Sequence, residues 1–148
     1  MSFEFRFASI LQLRRQERDQ AGSAVGQANE AIARVDQQIE SIGLERQSLR
    51  WSSGNNRVGS ISVDALLAGG RYDLQLQAQI QSLTETRGEM LQELERRQKT
   101  LTEAEAEVKR FERLEEKERA AYRVQEIRRE QAEADEATAR RYTIERQR

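Results

Sequence analysis

The stretch Val25–Leu49 reads VGQANEAIARVDQQIESIGLERQSL, and its apolar residues recur at alternating spacings of three and four. Nearly all residues between them are polar or charged, and the one gap in the series is Arg46. This is the a/d pattern of a coiled coil, which needs a partner helix to cover it. The positions of this first seam are Val25, Ala28, Ile32, Val35, Ile39, Ile42 and Leu49.

A second seam with the same spacing lies in the second half of the chain. It is interrupted by two arginines, and it supplies the partner that the first seam lacks. We expect the chain to fold back so that Phe7 lies near Val108 or Phe111. The second seam consists of Tyr72, Leu76, Ile80, Leu83, Arg87, Met90, Leu94, Arg97, Leu101, Ala104, Val108 and Phe111.

The two seams predict an all-α fold, a long antiparallel two-helix coiled-coil hairpin in which the second helix projects beyond the first. The apolar seam of the second helix stops after Phe111, where the first helix runs out of residues. Residues from about 113 onward should therefore form a charged single helix that frays at its end. The predicted single domain covers 1–148, with helix one over about 6–50, a loop over about 51–61, a helical turn over about 62–68 and helix two over about 71–142.

Three local features support these boundaries. Gly and Asn at 54–56 supply residues that end helices, and Ser62 suits the N-cap of the next helical turn. Gly69–Gly70 permits a kink before the long second helix. The single tryptophan, Trp51, is expected to cap the end of the seam, and contact with a partner is the alternative.

The composition argues against several functional classes. The 148 residues are 34% charged with a net charge of −1, and mixed signs are untypical of a nucleic-acid groove binder. The chain has neither Cys nor His, and a two-helix pair encloses no pocket, so we expect no enzyme, no catalytic residue, no cofactor and no metal site. No apolar run is long enough to span a membrane, and the N-terminus does not read as a secretory signal, which favours a cytoplasmic protein.

Several segments together resemble a known family. The start, Phe5-Arg-Phe-Ala-Ser-Ile-Leu-Gln-Leu-Arg14, resembles the opening of the flagellar export stalk protein FliJ. The segment Tyr72-Asp-Leu-Gln-Leu-Gln-Ala-Gln-Ile80 is similar to that family's second helix, and 111–117 and 130–136 are similar to its closing pattern. The resemblance covers essentially the whole chain.

The resemblance implies a role in type III protein export for flagellum assembly and motility. Members of the family insert into the hexameric ring of the flagellar export ATPase, promote its assembly and activity, and bind the cytoplasmic domain of the export gate. Some are linked to export chaperones. The chain would then work in the cytoplasm, at the cytoplasmic face of the inner membrane at the flagellar base, as a monomer when free, without inserting into the membrane or binding nucleic acid.

The resemblance also implies two binding regions. The export-gate surface of the family falls on the start of helix two, on Tyr72, Leu76, Gln79 and Leu83. Three of these are seam residues, so closing the hairpin is the alternative role. The end that enters the ATPase ring should be the opposite tip, with contacts from Phe7, Leu11, Leu13, Arg14, Arg15, Arg113, Lys117, Arg128 and Arg129.

Two other functions fit the same patterns. One is the equivalent stalk of a virulence injectisome, which the sequence does not separate from the flagellar one. The other is a generic coiled-coil scaffold that dimerises. Sedimentation separates the scaffold from the stalk, because the stalk should be a monomer.

Overall fold

The computed structural model describes residues 2–55 and 62–148, and within them the chain is helical without strands. Two helices account for the fold: α1 spans Ala8–Asn55 and α2 spans Val63–Gln147. The absence of proline from the whole chain removes the strongest breaker of helices of this length. Neither helix, over its described residues, is both long and apolar enough to cross a bilayer.

The chain divides into two compact units, each built from part of both helices. Unit 1 comprises Met1–Arg18 and Glu103–Arg148, and unit 2 comprises Asp19–Thr102. The sequence predicts a single domain over 1–148, and that stays a prediction. We describe each unit by itself.

In unit 2 the two helices run antiparallel. Near its start, α2 places Asp73 2.9 Å from Nε of Arg46 on α1. Further along α2, Nη1 of Arg97 donates a 2.8 Å hydrogen bond to the carbonyl oxygen of Ala24. Residues further along α2 thus contact residues that lie nearer the N-terminus of α1. The buried apolar residues of this unit are Ala21, Ala28, Ile32 and Leu76.

Unit 1 is antiparallel as well. Arg15 pairs with Glu112 at 3.3 Å, and Arg6 pairs with Glu118 at 3.2 Å. The predicted all-α fold with two long antiparallel helices is therefore confirmed. The core of this unit consists of Phe5, Leu11 and Val108, with Phe3, Phe7, Phe111 and Leu114 packed against it.

The predicted seam of α1 is the face that the structure covers. Its positions are buried or half-buried from Val25 to Leu49, and the gap residue Arg46 is half-buried too. On α2 one position differs, because Asp73 and not Tyr72 is the covered residue at the start of the seam. The carboxylate of Asp73 meets the guanidinium of Arg46 there, whereas Tyr72 is 41% exposed.

The end of α1 differs from the prediction. The helix continues to Asn55 and not to about residue 50, because Trp51 and Ser52 are only moderately unfavourable in helices and no proline intervenes. Trp51 lies within the helix with 73% of its surface exposed, so it does not cap the seam. The rest of the predicted loop, 56–61, lies outside the described residues.

The start of α2 is partly as predicted. The hydroxyl oxygen of Ser62 accepts a 3.0 Å hydrogen bond from the backbone N–H of Ala65, so Ser62 is the N-cap. The separate turn is wrong, since α2 is continuous from Val63, and a kink within the helix at Gly69–Gly70 stays a prediction. No described glycine has a positive φ, and helical backbone hydrogen bonds do not require a side chain.

The covered part of α2 in unit 1 is longer than the sequence predicts. The ring of Phe3 lies 5.6 Å from that of Tyr122, well past residue 113. The reason is that residues 2–5 are not helical, and an extended chain spans about 3.3 Å per residue against about 1.5 Å in a helix. From Ile127 to Arg148 every residue is exposed, and α2 ends at Gln147 where the prediction had about 142.

Candidate protein-binding sites

An open groove lies between α1 and α2 in unit 2. The side chains of Ile42 and Leu83, one from each helix, are half-buried and give it an apolar floor. Amide and hydroxyl groups border them. Two predicted gate residues, Gln79 and Leu83, are therefore placed in one groove. We call it the unit 2 groove, and its lining is Gln38, Ser41, Ile42, Gln79, Ser82 and Leu83.

Tyr72 lies on the same flank of the helix pair as this groove. It precedes Gln79 by seven residues, two helical turns, and its hydroxyl donates a hydrogen bond to the carboxylate of Glu45 on α1. That hydrogen bond, helped by partial desolvation, raises the pKa of Tyr72. The phenol thus stays protonated and bridges the two helices while 41% of the residue remains exposed.

Leu76 is not a surface residue. Only 3% of it is exposed, so it contributes packing energy to unit 2 and no accessible area. Of the four predicted gate residues, the structure thus leaves Tyr72, Gln79 and part of Leu83 accessible. For Leu76 the alternative role, closing the helix pair, fits the structure.

The sequence prediction missed the α1 side of this region. Gln38, Ile42 and Glu45 stand beside the predicted gate residues, although the prediction placed the surface on α2 alone. A signal was present, because Gln38 and Glu45 are seven residues apart and flank the first seam. That signal identifies a contact only when the register between α1 and α2 is known. The two seams alone predict the register no better than to about one helical turn.

Unit 1 gathers all four phenylalanines of the chain. The ring centroids of Phe7 and Phe111 are 6.4 Å apart, as the predicted pairing requires, and those of Phe5 and Phe7 are 5.8 Å apart in an edge-to-face arrangement. Such pairs contribute about 0.5–1.5 kcal/mol beyond their buried area. We call Phe3, Phe5, Phe7 and Phe111 the aromatic cluster.

Three guanidinium groups lie over rings of the aromatic cluster. Arg6 is 4.7 Å from the centroid of Phe7, and Arg110 is 5.3 Å from that of Phe111. Arg119 is likewise 5.3 Å from the centroid of Phe3. Cation–π attraction therefore orders basic side chains around an apolar centre. The result is a surface that combines positive charge with aromatic area.

The predicted ring-contacting residues at the start of α1, with Phe7 directly before it, differ in exposure. Leu11 is 3% exposed and Phe7 is half-buried, so both serve mainly the core. Leu13 is 50% exposed and available to a partner. Arg14 pairs with Glu17 of its own helix at 3.0 Å, and Arg15 bonds across to Glu112 on α2.

The predicted residues of α2 are all exposed. Arg113 and Lys117 line a second groove with Phe111 and Leu114, and Arg110 completes it. We call this lining the basic groove. Arg128 and Arg129 lie one to two turns after the covered part of α2, in the exposed final segment. The sequence prediction named Arg113 and Lys117 but not Arg110 of the same groove, nor Arg6 and Arg119 over the aromatic cluster.

The two grooves carry side chains suited to contact with another protein. Among the residues that the structure describes, no group of three or more acidic side chains is placed to hold a metal ion. Both grooves are open surfaces lined by apolar, amide or basic groups. Two long helices paired antiparallel, with such grooves along them, define a coiled-coil protein.

Comparison with known proteins gives the family. The family model described as "Flagellar FliJ protein" matches residues 3–147, nearly the whole chain. The chain therefore belongs to the FliJ family, as its opening and closing segments suggest, and this associates it with the flagellar export machinery. None of the curated proteins and none of the solved structures compared with the chain gave a match.

Proposed function

We propose that this protein is the central stalk of the flagellar export ATPase. It inserts into the hexameric ATPase ring, promotes ring assembly and activity, and links the ring to the export gate. The observation that carries the proposal is the family match over residues 3–147 in a chain whose two helices pair antiparallel. Such a protein acts by contact and not by catalysis.

Unit 1 is the part that we assign to the ATPase ring. The basic groove presents Arg113 and Lys117 beside the exposed edge of Phe111, and Leu13 adds apolar surface on α1. Exposed charges of this kind orient and speed up an encounter more than they strengthen it. Weak and reversible contacts suit a stalk that engages successive subunits of a ring.

The unit 2 groove is the part that we assign to the export gate. Its apolar floor of Ile42 and Leu83 lies between amide groups, and Tyr72 stands on the same flank. Exposed tyrosine beside a small apolar groove is typical of protein-binding surfaces. The gate contact thus uses both helices and needs the helix pair to be intact.

The family association supports three further parts of the proposal. The protein works in the cytoplasm, at the inner-membrane face of the flagellar base. It also contacts export chaperones that have released their cargo. At low concentration the free chain is a monomer, and it pairs with its partners only within the export machinery.

Adding the purified protein to its cognate export ATPase tests the central proposal. We expect higher ATP turnover and more hexamers, with circular dichroism confirming that the added protein is helical. A folded sample that changes neither quantity contradicts the stalk assignment. The matched control is the charge-reversed basic groove, Arg113→Glu with Lys117→Glu, which should stimulate turnover less.

A further inference from the structure

The first three turns of α2 carry an apolar stripe that is separate from the seam. Val63, Leu67, Gly70 and Leu74 recur at spacings of four, three and four, which is a/d spacing. The three side chains are 70%, 55% and 65% exposed. The residues that the structure describes therefore leave this stripe open to solvent.

The helix pair of unit 2 does not cover the stripe, for a geometric reason. Successive residues of a helix are rotated by about 100°, which places the stripe roughly 110° around α2 from Asp73 and Leu76. Those two residues face α1, through the contact with Arg46 and through burial. The stripe thus points away from α1, the helix that packs against α2 in the described part of this unit.

Gly70 makes this stripe unusual. A glycine inside a helix lowers the stability of the helix, and here a Cβ at Gly70 would meet no atom within 4 Å. The packing of its own unit therefore does not require a glycine. A gap in an otherwise apolar stripe is the shape that accepts a bulky side chain from a facing helix.

The stripe is complementary to itself. If a second copy of the segment lies antiparallel across it, Val63 of one copy faces Leu74 of the other, and Leu67 faces Gly70. Each Leu67 then inserts at the gap of the opposite Gly70, as a knob into a hole. This arrangement is symmetric, so every contact occurs twice.

The charges beside the stripe fit the same pairing. Asp64 and Arg71 are exposed, seven residues apart, on the edge of the stripe that faces away from α1. In the antiparallel arrangement Asp64 of one copy lies near Arg71 of the other, again twice. A parallel arrangement would instead place these two charged edges on opposite sides of the interface, where Asp64 and Arg71 could not pair.

We propose that two copies of this chain pair antiparallel through the α2 segment 63–74. The contact involves only a few side chains per copy, less than the area of about 800 Å² per partner that stable complexes bury. The dimer is therefore weak and forms at high local concentration, and dilute protein stays monomeric. The pairing leaves unit 1 and the Tyr72 flank of unit 2 unoccupied.

Sedimentation equilibrium between about 5 μM and about 1 mM tests the pairing. The mass should rise from the monomer value of 17.2 kDa towards twice that value. Leu67→Glu should abolish the rise, while Leu44→Glu, at a residue of unit 2 that is 59% exposed, should leave it unchanged. A monomer at every concentration, or an equal effect of both variants, overturns the proposal.

Two charge reversals provide the sharper test. Asp64→Arg gives a copy with two positive charges on this edge, and Arg71→Asp gives a copy with two negative charges on it. Each alone should self-associate at least fivefold more weakly than the unmodified chain, and an equimolar mixture should form heterodimers. Failure of the mixture to associate overturns the antiparallel pairing, and circular dichroism shows that both variants remain helical.

The pairing does not depend on the proposed stalk function, and the two fail separately. Leu67→Glu should stimulate the export ATPase as well as the unmodified chain does, because it lies outside unit 1. If the chain self-associates but does not stimulate the ATPase, the stalk assignment is wrong and the pairing stands. If the chain stimulates the ATPase but never dimerises, the pairing is wrong and the stalk assignment stands.

Discussion

At the scale of single residues, the seam of unit 2 contains a charged layer where an apolar one is expected. Arg46 and Asp73 lie 2.9 Å apart, with side chains only 18% and 26% exposed. The hydrogen bond and charge of Arg46 lower the pKa of Asp73 below its ordinary value of 3.8. Removing one partner from such a half-buried pair leaves the other without its hydrogen bond.

This pair predicts a pH dependence of stability. The carboxyl of Asp73 binds protons less tightly when the chain is folded, so stability is highest above about pH 4 and falls as the pH drops through the folded-state pKa. Asp73→Asn should lower the unfolding temperature at pH 7 and have little effect at pH 2. Thermal melts by circular dichroism measure both, and Asp64→Asn is the exposed control on the same helix.

If Asp73→Asn were as destabilising at pH 2 as at pH 7, the ion pair would not be the cause. The same reasoning applies to Glu93, whose pKa is lowered mainly by the hydrogen bond from Arg97. Because both pKa values are lowered in the folded chain, both carboxylates make stability fall as the pH falls. Acid should therefore loosen unit 2 through these two groups together.

Leu74 and Leu76 form a matched pair for a second prediction at this scale. Leu76 is 3% exposed and Leu74 is 65% exposed, on the same helix two residues apart. Leu76→Ala should lower the free energy of unfolding by about 2–3 kcal/mol, since a leucine that fills a core leaves a cavity. Leu74→Ala should change it by less than about 0.5 kcal/mol. Urea unfolding at micromolar concentration measures both.

This result would also bear on the gate surface. A loss of gate binding in Leu76→Ala would reflect unfolding, whereas a loss in Tyr72→Ala would reflect a lost contact. Equal stability losses for the two leucine variants would mean that the register of α2 against α1 is wrong.

Residue periodicity predicted most of this packing but not its polar details. The four-three spacing identified the covered positions of α1 correctly, because apolar burial dominates the free energy of a two-helix pair. It placed Tyr72 in the seam, since aromatic residues are usually buried in preference to acids. Here the acid Asp73 is covered, because it pairs with Arg46, and the aromatic Tyr72 is exposed. A pattern of apolar residues does not predict a specific ion pair.

At the scale of the helices, α2 is longer and more regular than its glycines suggest. Gly69, Gly70 and Gly88 all lie inside it, and a Cβ at any of them would meet nothing within 4 Å. Helix continuity here depends on the many favourable residues around each glycine and on packing against α1. The glycines therefore weaken the helix without breaking it.

Replacing a glycine should then stabilise α2. Gly88→Ala adds a methyl group at an exposed helical position with free space, so the free energy of unfolding should rise by about 0.5–1 kcal/mol. Urea unfolding measures this. Gly22→Ala is the comparison for a packed position. A Cβ at Gly22 would make an ordinary contact, 3.9 Å from Cδ1 of Leu101, whereas a Cβ at Gly88 would enter free space. A destabilising Gly88→Ala would contradict a continuous helix at this point.

The non-helical N-terminus shows what helical periodicity overlooks. Phe3, Phe5 and Phe7 alternate with a period of two, which is typical of an extended segment with one buried face. That signal predicts a strand-like stretch, whereas the seams predict helices alone. The aromatic cluster and the longer cover of α2 up to Tyr122 both follow from this short segment.

At the scale of the whole molecule, the structure adds side chains to both predicted binding regions, and their binding to partners stays a prediction. Grooves form from side chains of two helices, and the sequence of one helix reveals its partner residues only once the register is known. The unit 2 groove therefore gained Gln38 and Ile42, and the basic groove gained Arg110. Charge and exposure in each unit still favour different partners.

The two regions predict separable functions. Arg113→Glu with Lys117→Glu reverses the charge of the basic groove, and both residues are exposed, so stability should stay within about 0.5 kcal/mol. ATPase stimulation should fall at least fivefold, about 1 kcal/mol in coupling, because both changes reverse the charge of the groove that we assign to the ATPase ring. Gate binding should be unaffected.

The reciprocal variant is Tyr72→Ala with Gln79→Ala. These residues flank the unit 2 groove without filling the core, so the chain should stay folded. Binding to the gate's cytoplasmic domain, measured by calorimetry, should weaken at least fivefold while ATPase stimulation is kept. If either variant impairs both activities equally with unchanged melting, the two regions form one functional surface and the assignment of separate partners to the two units is wrong.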